Sequence, residues 1–355
     1  MRTAGTTRRA GLAACAFAAV RLALGDGATS DHEREDRRYL ERRASRAEKP
    51  ASEAPADPAA GARDFLARAD ELIRDRSYRS AASDRHRVQT DDPRVDPKAV
   101  VALLDGFSAF FERQWSGRAD LAPEVGQLRV FLFYSSRDLE LAIGPDAGFA
   151  ADRAAGHHRP AAEAVAAHTD PEGPPKLGET LIHAVAHRLV ERRLPGGRAP
   201  RSPWVGEGLA SYFGHTRIAR GIVFDAGVVG GSAVALVEGV GSEPPAQARS
   251  LLDELRNELR SRAKGGDPLF SDVLRIEDAA EFYGEDAELH RAASWVIAHY
   301  LLHADDGSHA AAFGRWLALE ERAEGGPDAL LRELGVDAVA FEVALAEHLR
   351  RMSPR

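Results

Sequence analysis

The chain has one cysteine, Cys15, among 355 residues. A single thiol excludes an intrachain disulfide framework and a cysteine-based metal site. No apolar run reaches the roughly 18 residues that a membrane-spanning helix needs. Excess positive charge is absent too: 47 Lys and Arg stand against 55 Asp and Glu, a net charge of −8. That balance disfavours nucleic acid as a partner. What remains is a globular composition, 44% hydrophobic and 29% charged, in a chain long enough for two packed lobes.

The N-terminus carries Arg2, Arg8 and Arg9, then apolar residues from Ala10 to Val20, then Ala23-Leu24-Gly25. A basic start, a short apolar stretch and a small-x-small pattern predict a signal peptide over 1–25 and export to the periplasm or beyond. Arg21 charges the end of that stretch. Leu12-Ala13-Ala14-Cys15 spells a lipobox, but too few apolar residues precede Cys15, and a lipoprotein is not expected. Residues 26–62 are charge-dense and then Ala/Pro-rich, which predicts a disordered linker.

Phe65, Leu66, Leu72 and Ile73 recur at helical spacing within 63–80. A short strand is expected over His86–Thr90. Val100, Val101, Leu104, Phe107, Phe110 and Phe111 predict a helix from Pro97 to Trp115, with proline at its favoured first position. Gln127–Tyr134 is the clearest strand. Ser136 opens a short helix to Ile143. Gly156-His157-His158-Arg159-Pro160 reads as loop, and 163–168 as a weak strand. Pro171–Pro175 breaks the chain before a helix from about Leu177. Gly214–Gly241 reads as strand or loop. Helices are expected over 246–264, 290–303, 308–323, 328–334 and 337–351. The fold class is α+β: a lobe over 63–215, then a mainly helical lobe over 216–355.

His183 and His187 stand four residues apart in Glu179-Thr-Leu-Ile-His183-Ala184-Val-Ala-His187. On a helix that spacing puts both imidazoles on one face, one turn apart, where they can share a cation. Glu207 follows in Pro203-Trp204-Val-Gly-Glu207-Gly208-Leu-Ala-Ser-Tyr212-Phe213. Two imidazoles and a carboxylate are the ligands of a catalytic-type zinc site with an open position. The bland alternatives are helix histidines without metal and a carboxylate favoured by a helix N-terminus.

These two segments resemble the gluzincin metallopeptidases, and more narrowly the bacterial peptidase MA-like family. The Trp-x-x-Glu-Gly-x-Ala-x-Tyr-Phe half is the more specific. Ser294-Trp295 through Tyr300-Leu301-Leu302 extends the likeness, which covers roughly residues 85–305. The resemblance implies zinc on His183, His187 and Glu207, a mixed sheet packed on the metal helix, and peptide or protein segments received by an edge strand at 163–168. It also exposes a departure. The family has glutamate after its first histidine, the general base of peptide hydrolysis; here that residue is Ala184. Alanine moves no proton, and acid–base catalysis is worth about 10²–10⁴-fold.

The expectation is therefore an exported zinc-metallopeptidase-like protein with impaired or lost hydrolysis, acting as a peptide-binding pseudopeptidase. An active enzyme with a relocated base and a metal-free structural envelope protein are the alternatives. Glu179 and Glu191 fall on the histidine stripe, as exposed charges or as hydrogen-bond partners of the imidazoles. His157 and His158 read as surface loop histidines and as the remaining candidates for a proton carrier. The family has a tyrosine four residues before its tryptophan, where this chain has Arg291. His290 and Arg291 are candidates for polarising a carbonyl, or ordinary helix-surface residues.

Overall fold

A computed structural model describes residues 58–74, 78–124, 126–144, 156–169, 177–194, 200–215, 217–219, 223–225, 246–265 and 268–352. Residues 1–57 and Val234–Val237 lie outside them, and with them the expected leader and most of the linker.

The described elements run α1 (Pro58–Arg74), β1 (Arg79–Ala82), β2 (His86–Thr90), α2 (Pro97–Trp115), β3 (Leu128–Phe133), α3 (Ser136–Ile143), β4 (Gly156–Arg159), β5 (Ala164–His168), α4 (Leu177–Arg193) and α5 (Pro203–Gly214). A small ribbon, β6 (Arg217–Ala219) and β7 (Val223–Asp225), follows. The rest is helical: α6 (Ala246–Gly265), α7 (Phe270–Arg275), α8 (Ala279–Phe282), α9 (Ala287–His303), α10 (Ala310–Glu321), α11 (Pro327–Leu334) and α12 (Ala338–Arg351). The class is α+β, as expected.

Five strands form one mixed sheet in the order β1-β2-β3-β5-β4. The central pairs β2–β3 and β3–β5 are parallel, and the outer pairs β1–β2 and β4–β5 are antiparallel. Helices cover both faces, which explains why β3 reads as unbroken apolar sequence. Val130 and Leu132 enter the main core with Val88, Val165 and the α2 and α4 side chains. Phe131 and Phe133 enter a second core with Phe65, Ala69, Leu139 and Ile143 from α1 and α3. The main core continues without a break through Trp295, Phe313, Phe341 and Leu349.

Three sequence expectations change here. The segment 163–168 is not an edge: β5 is paired on both sides, by β3 and β4. Among the described strands the edges are β1 and β4, and His157 and His158 belong to β4 rather than to a loop. Its Gly-His-His-Arg sequence lacks apolar alternation because an edge strand buries less of itself. Residues 79–80, expected at the end of a helix, open β1. No described helix is long and apolar enough to cross a membrane.

Candidate metal centre

Helix α4 is held by charge on one side and by core on the other. Leu181, Ile182, Val185, Leu189 and Val190 are fully buried. The Arg188 guanidinium, itself buried, donates to Glu163 at 3.0 Å, Glu124 at 3.0 Å and the Gly126 carbonyl at 3.1 Å. Arg193 donates to Glu112 at 2.9 Å. Such multivalent guanidinium contacts fix both position and rotation of a helix, and they turn His183 and His187 towards α5.

Helix α5 is pinned at both ends. Pro203 suits its first turn, and Trp204 packs against Trp316 at 5.3 Å between ring centroids. Phe213 meets Phe107 at 5.5 Å and Phe111 at 5.4 Å. Between these anchors, Gly208 lets α5 cross α9 closely: a Cβ there would lie 2.5 Å from the Ser294 carbonyl oxygen. Glu207, one residue before, is 5% exposed.

The three expected ligands come together. His183 Nε2 and His187 Nε2 are 3.2 Å apart. Glu207 Oε1 lies 3.5 Å from His187 Nε2, and Oε2 lies 3.9 Å from His183 Nε2. Donors bonded at 2.0–2.1 Å to one tetrahedral ion are about 3.4 Å apart, so the spacing fits a shared cation. Among the described residues this is the one His/Cys/Asp/Glu group gathered closely enough to hold a metal ion.

Protonation favours the same use. Burial pushes His183 down to about 3, helped by His187 and opposed by Glu207. Burial also lowers His187, again against Glu207. Both rings are neutral and keep a lone pair for a cation. For Glu207 burial works to raise the pKa, but His187, His183, Arg291 and the Tyr283 hydroxyl outweigh it and the carboxylate stays ionised. Its Oε2 is buried without a hydrogen-bond partner; the nearest cation, Arg291 Nε, stands 3.8 Å away, beyond hydrogen-bond range. A buried carboxylate oxygen left so is costly, and a bound cation would remove that cost.

Around this trio the other candidates sort differently. Ala184 is buried and offers no proton-transfer group. Arg291 reaches the site, and its guanidinium also donates to Glu288 and lies over the Tyr283 ring at 5.8 Å. His290 donates from Nδ1 to the Phe282 carbonyl at 2.8 Å, a contact that ties α9 to α8. Glu179 is half-buried in the first turn of α4. Glu191 is also half-buried, and burial, with the Glu163 and Glu207 charges, pushes it up to about 7 against Arg192. Tyr283 escaped the sequence reading: its hydroxyl donates to Glu207 Oε1 at 2.8 Å. No spacing rule joins it to Glu207, because it arrives from α8 across the fold.

A comparison with family models gives no match for this chain, and a comparison with curated proteins gives none either.

Proposed function

We propose that this chain is a zinc-binding, gluzincin-like pseudopeptidase that is exported and holds peptide or protein segments without cleaving them efficiently. The observation that carries the reading is the His183, His187 and Glu207 donor cluster beside buried Ala184. Two neutral imidazoles and a carboxylate suit zinc above harder cations. Zinc held by these three residues alone would keep an open position at which it could polarise a carbonyl oxygen. The chain's own residues do the rest. Tyr283 orients Glu207 by its hydrogen bond, and Arg291 places positive charge beside the cluster. The edge strand β4, packed against α4, offers main-chain groups for an extended peptide. Ala184 leaves the usual base position without a proton acceptor, so binding is not followed by rapid hydrolysis.

The test is metal analysis of the purified protein, joined to peptide binding and hydrolysis with and without chelator. One zinc per chain, chelator-sensitive peptide binding and background hydrolysis are expected. A folded chain without zinc refutes the reading. A second reading, an active peptidase with a relocated base, draws on Glu191, one turn beyond His187 and held near 7. It requires chelator-sensitive hydrolysis that Glu191→Gln abolishes while zinc stays bound.

A further inference from the structure

His158 lies beside the metal centre, although the sequence places it far from either ligand helix. On β4 it pairs with Val165, whose side chain lies in the core shared with α4. His157 pairs with Ala166, which lies in the opposite core. Strand alternation therefore sends His158 to the α4 side of the sheet and His157 to the other. There the His158 ring lies 6.3 Å from that of His187, with the planes 13° apart.

At that separation the rings are near-parallel and loosely stacked, wider apart than a shared ion would hold them. Two imidazoles on one tetrahedral ion have centroids about 5 Å apart and can lie in a common plane. His183 and His187 are at 4.8 Å, so His158 needs to close by about 1.5 Å to match this spacing. Its Nε2 is buried and has no hydrogen-bond partner. Such a nitrogen is destabilising unless something accepts or occupies it. Burial first, then the neighbouring His187, His157, Arg188 and His183, keep the ring neutral.

We propose that His158 is a fourth protein ligand of the ion held by His183, His187 and Glu207, so that metal loading fastens the edge strand β4 to α4. The inference rests on the metal-binding reading above and deepens it. Four protein ligands make a closed, structural type of site. A peptide laid along β4 then meets a strand locked in place by the ion, and the ion itself has no position open to a carbonyl. Metal and peptide binding become linked through one strand, and loss of hydrolysis acquires a second cause beside Ala184.

The experiment is a zinc competition titration with a chromophoric chelator, run on wild type, His158→Phe, His158→Cys, His157→Gln and His183→Ala. Cobalt(II) absorption is recorded for each. His158→Phe should weaken zinc binding by at least about tenfold. His158→Cys should bind and add a thiolate–cobalt charge-transfer band, which holds as evidence even if His158→Phe fails to fold. His157→Gln should match wild type. Hydrogen exchange over Gly156–Arg159 should slow on zinc addition in wild type and His157→Gln, and not in His158→Phe. If His158→Phe binds zinc as tightly as wild type, with the same cobalt spectrum, while His183→Ala does not bind, the fourth ligand is refuted and the three-ligand site stands. If wild type binds no zinc, both readings fall.

Discussion

Replacing Glu207 by glutamine separates the value of this carboxylate to the fold from its value to the metal. Glu207 is buried, its Oε1 accepts from Tyr283 at 2.8 Å, and its Oε2 has no hydrogen-bond partner. Glutamine keeps the acceptor for Tyr283 and removes a buried charge held by imperfect partners. The exchange strands no close cation, since Arg291 Nε stands 3.8 Å away and its guanidinium also donates to Glu288. The metal-free variant should therefore lie within about 1 kcal/mol of wild type. Zinc behaves otherwise. At a free concentration about 1,000 times its Kd, an ion that binds only the folded state stabilises by about 4 kcal/mol. Residues 53–355 form one compact unit of about 300 residues. At about 2.1 cal/mol/K per residue its unfolding entropy is about 0.6 kcal/mol/K, so zinc should raise the midpoint by about 6–7 °C. Differential scanning calorimetry with and without zinc reads both numbers. Glu207→Gln should lose the zinc increment and keep the metal-free midpoint. An unchanged zinc increment would show that Glu207 is not a ligand. A metal-free midpoint lower by ten degrees or more would make the carboxylate a structural post instead.

Ala184→Glu alone should leave peptide hydrolysis at background, whereas Ala184→Glu with His158→Phe should raise it at least about 10²-fold; hydrolysis by the single variant would show that the ion already has an open position. Gly208→Ala puts a Cβ 2.5 Å from the Ser294 carbonyl oxygen, and overpacking of about 1–3 kcal/mol should lower the midpoint by about 2–5 °C. Burial, then His299, Arg351 and His303, against Asp305, pushes His348 down to about 4, below its ordinary 6.5. The unfolded chain takes up that proton first. Stability fully present above pH 6.5 is therefore lost as pH falls towards 4, by up to about 3 kcal/mol. Urea unfolding from pH 8 to 4 measures the slope, and His348→Gln should flatten it.

The sequence was most readable where one physical signal dominated. Helix Pro97–Trp115 appears with the expected ends because Asp96, Pro97 and a 3.6-residue apolar period agree. Strand Leu128–Phe133 is the core of the expected 127–134 stretch. The candidate trio His183, His187 and Glu207 was legible because two of its members share a helix face and the third sits in a distinctive segment. Strand β4 was not, since Gly-His-His-Arg satisfies no strand pattern and is made a strand by pairing with β5. That omission concealed His158, and with it one edge of the sheet. Tyr283 was hidden for a similar reason, reaching Glu207 only through the packing of the C-terminal helices on α5. Glu191 looked like surface charge, yet burial first, and then the neighbouring Glu163 and Glu207, pushes it up to about 7.

Helix α4 has no side given over to bulk water. Its apolar residues enter the core, its arginines are locked to Glu163, Glu124 and Glu112, and its histidines face Glu207. Position 184 lies between the two histidines, and its methyl group packs in the main core. A carboxylate there is an internal anion, whereas alanine is the residue helices accept most readily. Exchange in that direction lets the fold relax, and exchange back must work against it. The arrangement works in one direction: a carboxylate brought to 184 has to be buried against the preference of the fold, whereas alanine sits there without cost.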